Sequence, residues 1–165
     1  MSLHHEPGPE RRTPDDAELA RPHEPGPQFR ALTDEELSRL LGEQHFGALA
    51  TGAGLSTVGY TWDPGRRVVR ISTVADRLKL HQDPRCALYV ASGDFQSYAV
   101  AEGTAEMSPV SGAPGDEVGR ELLAMQPAVA DEAAFLRRMV AGRRLVVRLR
   151  VARLYGTALP PAPVA

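Results

Sequence analysis

The run Ser56-Thr57-Val58-Gly59-Tyr60-Thr61-Trp62, the triplet Asp63-Pro64-Gly65 and the run Val68-Val69-Arg70-Ile71-Ser72-Thr73 decide the fold class. In the first run Val58, Tyr60 and Trp62 fall on one side of an extended chain, and Thr57, Gly59 and Thr61 on the other. This is the alternation of a half-buried antiparallel strand. Proline fixes one turn angle and glycine relaxes the next, so the triplet joins the two runs into a β-hairpin.

Working outward, the short apolar stretch 46–51 predicts a strand just before the hairpin. Ahead of it, Thr33-Asp34-Glu35-Glu36 has capping-box spacing, in which a Thr hydroxyl and a Glu three residues on satisfy each other's orphan backbone donors. A short helix follows, with Leu37, Leu40 and Leu41 on one face and Gly42 placed to stop it. After the hairpin, 74–82 predicts one or two helical turns halted at Asp83-Pro84, because the residue before proline avoids helical angles. Strands resume over 86–91 and 96–107, linked by Ser92-Gly93-Asp94-Phe95, and Gly103 marks a bulge or a close approach. Helices are expected over 116–125 and over 131–141, the second carrying Phe135, Met139 and Val140 at helical spacing. In the last strand Leu145, Val147, Leu149 and Val151 alternate with Arg144, Val146, Arg148 and Arg150. About six strands in consecutive hairpins, with small helices around them, predict an α+β architecture built on a compact antiparallel barrel.

The chain has 165 residues, 42% hydrophobic, 24% charged and 5% aromatic, which suits one globular domain with appendages. No apolar run approaches the roughly 20 residues needed to cross a bilayer, and the first residues lack an apolar signal core. The expectation is a cytoplasmic protein with no membrane partner. With 19 Lys and Arg against 21 Asp and Glu the net charge is -2, so no bulk attraction to nucleic acid is expected. Residues 1–30 hold six prolines, two glycines, four arginines and six acidic residues. Such a segment has little to repay the entropy of ordering and reads as a disordered tail, within which His5-Glu6-Pro7-Gly8-Pro9 recurs as His23-Glu24-Pro25-Gly26-Pro27. The domain is placed at 31–158, and 159–165, with three prolines, reads as a flexible end.

Chemical signatures are sparse. There is no Gly-x-Ser-x-Gly elbow and no His-Glu-x-x-His. The lone Cys86 reads as a buried structural thiol, and no metal site is expected. Gly52-Ala53-Gly54 lacks the third glycine and the following helix of a dinucleotide turn. The richest polar stretch is Ser72-Thr73-Val74-Ala75-Asp76-Arg77-Leu78-Lys79, where two hydroxyls end a strand and two basic residues follow. Hydroxyls, backbone N–H groups and cations at such a junction can hold a phosphate; alternatively Ser72 is a cap and the cations are solvated. Tyr60, Trp62 and Tyr98 offer stacking surface or core, and His81 offers a proton.

The ordered series Phe46-Gly47-Ala48-Leu49-Ala50-Thr51, Gly59-Tyr60-Thr61-Trp62-Asp63, Arg70-Ile71-Ser72-Thr73, Asp83-Pro84-Arg85-Cys86-Ala87-Leu88 and Ser97-Tyr98-Ala99-Val100-Ala101-Glu102-Gly103-Thr104-Ala105 resembles the pyridoxamine 5'-phosphate oxidase-like split-barrel superfamily. Within it, the chain looks most like the actinobacterial branch that uses the deazaflavin coenzyme F420. The resemblance covers about 33–158. It implies a six-stranded split barrel that forms a homodimer with two cofactor sites built from both subunits. It implies an oxidoreductase that moves a hydride from reduced F420 to a small organic acceptor. FMN chemistry of the oxidase or flavin-reductase kind is the alternative, and a non-enzymatic cofactor or haem binder a second one. Carried over by position, Ser72, Thr73, Arg77 and Lys79 hold the cofactor phosphate, and Tyr60 and Tyr98 line its ring. One departure stands out. Lys79-Leu80-His81-Gln82 runs straight into Asp83-Pro84, nearly one helical turn shorter than the family pattern. An ungapped alignment puts Asp76 at the phosphate-binding lysine, where a carboxylate repels phosphate.

Overall fold

The computed structural model describes residues 28–75, 80 and 82–160. Its strands are β1 (Arg30–Ala31), β2 (Phe46–Thr51), β3 (Gly54–Asp63), β4 (Val68–Val74), β5 (Arg85–Ala91), β6 (Ser97–Met107) and β7 (Arg144–Ala158). Three helices accompany them: α1 (Asp34–Glu43), α2 (Glu117–Ala124) and α3 (Glu132–Ala141).

All pairings are antiparallel. Strand order is β7-β4-β3-β2-β5-β6, and β6 pairs again with β7, so six strands close into a barrel and no member of the ring has a free edge. β1 lies outside the ring, paired to the end of β7 through Arg30 with Ala158 and Ala31 with Thr157. The expected 1–30 tail therefore enters the described residues only at its last positions, and Arg30 already belongs to a strand; 1–27 and 161–165 lie outside them. Most of the expected helical turns over 74–82 also fall outside, and Val74 is the last residue of β4.

The alternation read from the sequence sets the interior. Val58, Tyr60, Val69, Ile71, Leu88, Val90, Leu145, Val147 and Leu149 point into the barrel and are buried together. One end is plugged by α1, whose Leu37, Leu40 and Leu41 join this core. Its N-terminus carries the expected capping box: Glu36 N–H donates to Thr33 Oγ1 at 3.2 Å, and Thr33 N–H to Glu36 Oε1 at 3.5 Å. Gly42 does not end the helix. The helix runs through Glu43, and the chain turns extended at Gln44, whose N–H still reaches Leu40 O. The strand that follows pulls the backbone out of the helix, so no left-handed glycine is needed.

The opposite face of β7 is covered in part by helices. Val146 packs under Val118, Leu122 and Phe135 of α2 and α3, which form a second small core on the outside of the barrel. Gly103 is the close-approach point that its place in a long strand predicted. The β6–β7 register shifts between Glu102 and Gly103, and a Cβ there would lie 2.8 Å from Arg150 C and nearer still to Arg150 O. Among the described residues no helix is long and apolar enough to cross a membrane.

Candidate functional site

Where β3, β4 and β7 run side by side, their outward residues bring Gly59, Ser72 and Arg144 together at the wall of a cavity of about 450 Å³. The turn after α2 closes one side with Met125, Gln126 and Pro127, and His45 and Phe46, at the entry to β2, close the other. A smaller pocket of about 170 Å³ continues it along Ser56, Thr57 and Val74, again past Gly59, Ser72 and Arg144. Glycine at position 59 leaves the floor without a side chain; the nearest atom that a Cβ would meet is Phe46 Cε1, at 3.7 Å.

Its polar end is an Arg–Ser pair. Arg144 Nη2 donates to Ser72 Oγ at 2.6 Å. A guanidinium and a hydroxyl held this way suit a phosphate or carboxylate, the first by charge and planar donors, the second by its O–H. The rest of the lining mixes apolar Phe46, Met125 and Pro127 with the polar side chains of His45 and Gln126. A flat ring with an anionic arm is the shape and chemistry that this arrangement accepts.

Ser72 lies at this site; Thr73 borders the smaller pocket too, but it is only 6% exposed, its side chain turned to the other side of the sheet because neighbours on a strand face opposite sides. Arg77 and Lys79 lie outside the described residues, as does His81. Tyr60 borders the cavity, but its ring belongs to the barrel core at 4% exposure and its hydroxyl donates to Leu41 O at 2.7 Å. Burial pushes its phenol well above the ordinary range. Trp62 is likewise a tie to α1, donating from Nε1 to Ser38 Oγ at 2.9 Å. Tyr98 stands at the other end of the barrel. It pairs with Thr157, whereas Ser72 pairs with Val146, and eleven residues of strand at about 3.3 Å each separate the two. Its ring stacks on Tyr89 with centroids 5.5 Å apart.

Two lining residues were absent from the phosphate-grip reading. His45 sits in the connection to β2, where nothing local marks it. Arg144 reads from sequence as one of several arginines on a strand face, and only the β4–β7 pairing delivers it to Ser72. Cys86 is buried, as expected, and burial pushes its thiol up to about 11, which keeps the nucleophilic thiolate scarce. Among the described residues no group of His, Cys, Asp and Glu is arranged to hold a metal.

A larger cavity of about 820 Å³ lies on the same outer face, with Met125 as its shared wall with the first. Arg66, Arg70, Arg148 and Arg150 line it, against Glu117 and Glu121. Arg70 Nε and Arg148 Nε both donate to Glu121 Oε1, at 3.2 and 2.9 Å, and Arg148 Nη2 also donates to Glu121 Oε2. The Arg148 guanidinium bonded to Glu121 holds its carboxyl below the usual range.

No family model matches the chain. Solved structures share its architecture. A conserved hypothetical protein from Mycobacterium tuberculosis superposes with a TM-score of 0.60 at 22% identity, over 81% of this chain and 92% of that one. An FAD-binding protein from Mesorhizobium loti superposes with 0.55 at 14% identity, over 80% and 99%. A candidate pyridoxamine 5'-phosphate oxidase from Corynebacterium glutamicum does so with 0.51 at 14% identity, over 79% and 93%. The fold is the split barrel. At these identities the likeness is one of architecture, and it covers nearly the full length of each of the three proteins.

Proposed function

We propose that the protein binds a flavin-type cofactor in the cavity of Gly59, Ser72 and Arg144 and works as an oxidoreductase, with reduced coenzyme F420 passing a hydride to a small organic acceptor. The observation that carries this reading is the cavity itself: a bare floor at Gly59, side walls of Phe46, Met125 and Pro127 with His45 and Gln126 among them, and one Arg–Ser corner fit a planar ring with a phosphate arm. The FAD-binding protein of Mesorhizobium loti is built on the same fold, which supports a flavin-type ligand. The resemblance of the ordered segments supports the deazaflavin.

The bound cofactor supplies the redox chemistry. In this reading the protein's own residues bind, orient and exclude water. Ser72 and Arg144 take the phosphate. Arg77 and Lys79, from the segment after β4, add to that grip. Gly59 lets the ring lie against the sheet, and Met125 with Pro127 walls off solvent. The Tyr60 hydroxyl is engaged by Leu41 O; in this reading a proton for the product comes from solvent or from the His45 imidazole.

A second copy of the chain completes the site in the same reading. Helices cover the outside of β7, but the outer faces of β2, β3 and β5 carry Phe46, Leu55 and Tyr89 at 71%, 75% and 43% exposure. An apolar patch of this kind marks an interaction surface. Phe46 belongs both to this patch and to the cavity wall, so a partner seated on the patch closes the cavity mouth.

Titrating the full chain with F420 and with FMN, followed by absorbance and fluorescence, tests the proposal. Binding that weakens at least about tenfold in Arg144→Ala, from loss of a charge-assisted bond, supports it. No binding of either molecule, or an unchanged affinity in the variant, overturns it. Tight FMN binding without F420 binding moves the cofactor to FMN. Reduced F420 that binds but is oxidised by no quinone, enone or nitroaromatic acceptor makes the protein a carrier.

A further inference from the structure

The larger cavity, with its four arginines, plays no part in gripping the ring or its phosphate. On its floor Arg70 of β4 and Arg148 of β7 are register partners, directly opposite one another. Like charges in that position repel and weaken the sheet unless an anion lies between them. In the structure that anion is Glu121, whose carboxylate takes bonds from both guanidiniums. A strut that merely fixed α2 to the barrel would need one arginine and no open space. Here the ion pairs face a cavity of about 820 Å³, and Arg66 and Arg150 bring two more guanidiniums to its wall. Besides Glu121, only Glu117 among the described residues brings a carboxylate to the lining, against four arginines; Asp63 pairs with Arg70 at 3.3 Å and Glu106 with Arg150 at 3.2 Å, and neither of these two lines the space.

We propose that this cavity is a second anion site, for a ligand group of diphosphate or dicarboxylate type, and that Glu121 is its built-in placeholder. The arriving anion takes the bonds of Arg70 and Arg148, and Glu121 gives them up. Planar guanidinium forks on neighbouring strands suit two-oxygen groups, and a ligand with more than one anionic centre also engages the arginines at the wall. Because Met125 lines both cavities, one elongated molecule can lie in both, its ring beside Gly59 and its anionic arm among the arginines. That source of the anion rests on the proposed flavin reading; a free anion needs only the cavity.

The test uses the full chain and inorganic pyrophosphate, titrated calorimetrically at low salt into the wild type, Glu121→Gln and Arg148→Ala, with circular dichroism to check folding. Removing the competing carboxylate is expected to tighten pyrophosphate binding about tenfold, and removing the arginine to weaken it about tenfold, the worth of one charge-assisted bond. Should Arg148→Ala fail to fold, Arg148→Lys keeps the charge without the fork and is expected to bind more weakly than the wild type. Unchanged affinity in Glu121→Gln, or no binding by the wild type and Glu121→Gln alike, overturns the proposal. Parallel titrations with FMN and FAD identify the source. A rise in the FAD-to-FMN affinity ratio in Glu121→Gln assigns the site to a cofactor arm, and an unchanged ratio beside a tightened pyrophosphate assigns it to a free anion. If pyrophosphate responds while FMN, FAD and F420 all fail to bind, the anion site stands and the flavin reading falls.

Discussion

Substituting Gly103 with alanine asks how rigid the barrel closure is. The added Cβ would lie 2.8 Å from Arg150 C and 3.2 Å from Ala152 N, with Arg150 O closer than either, whereas ordinary contact begins at 3.4 Å. The obstacle is backbone, so no side chain can swing aside; β6 and β7 have to part by more than about 0.6 Å. Overpacking of this kind costs about 1–3 kcal/mol. Weakening two ladder bonds beside the bulge adds about 1 kcal/mol each. The expected loss of about 3–5 kcal/mol is a large part of the roughly 5–15 kcal/mol that holds a domain together. For a chain of this size it lowers Tm by roughly 6–20 °C. Urea and thermal unfolding followed by circular dichroism measure it, with Gly93→Ala, where a Cβ meets nothing within 4 Å, as the control expected to stay within about 0.5 kcal/mol. If the two variants unfold at the same midpoint, the close-approach reasoning is wrong.

Burial opposes ionisation of Asp116, but the Gly119 and Gly112 N–H groups, the Ser111 hydroxyl and the Ala113 N–H outweigh it and hold the carboxyl at about 2, against an ordinary 3.8. Because the folded value is the lower one, this stabilisation is full above about pH 4 and fades as pH falls toward 2. An acid titration of Asp116→Asn should therefore show a shallower loss of stability over that window than the wild type. Tyr60→Phe leaves the buried Leu41 carbonyl without its partner and should cost about 1–2 kcal/mol in urea unfolding, while flavin titration remains within a few-fold of the wild type. Tyr89→Glu puts a charge into the bare sheet face. In sedimentation velocity it should convert a dimer to monomer, and an unchanged sedimentation coefficient would remove the proposed partner from that face.

Much of this fold is legible because alternation and turn chemistry are local. β2 occupies the six residues that its apolar run marks, and the Asp63 turn carries Arg66 N–H on its own side chain at 3.1 Å. β7 is harder to read. Its alternation is clear up to Val151, but the strand runs on to Ala158 through Ala152, Arg153 and Gly156, where the bulge opposite Gly103 breaks the phase. Gly156 is a second place where another strand, at Tyr98, comes too close for a side chain. The candidate site was only half legible for the same reason. Ser72 announced itself by its neighbours, but Arg144 lies 72 positions away and reaches it only through the ladder between β4 and β7. Sequence proximity puts Ser72 and Thr73 together, and both border the smaller pocket, but the pleat turns their side chains to opposite sides of the sheet.

The barrel is closed by its final strand, which seals β4 on one side and β6 on the other. During synthesis both of those flanks must wait, with unpaired N–H and C=O groups, until residues 144–158 have left the ribosome. The helical pair that covers Val146 cannot seat before then either. Nascent chains are thus exposed to edge-to-edge aggregation until that strand emerges, and slow elongation or a stop codon before Arg144 should divert them to chaperones or inclusion bodies.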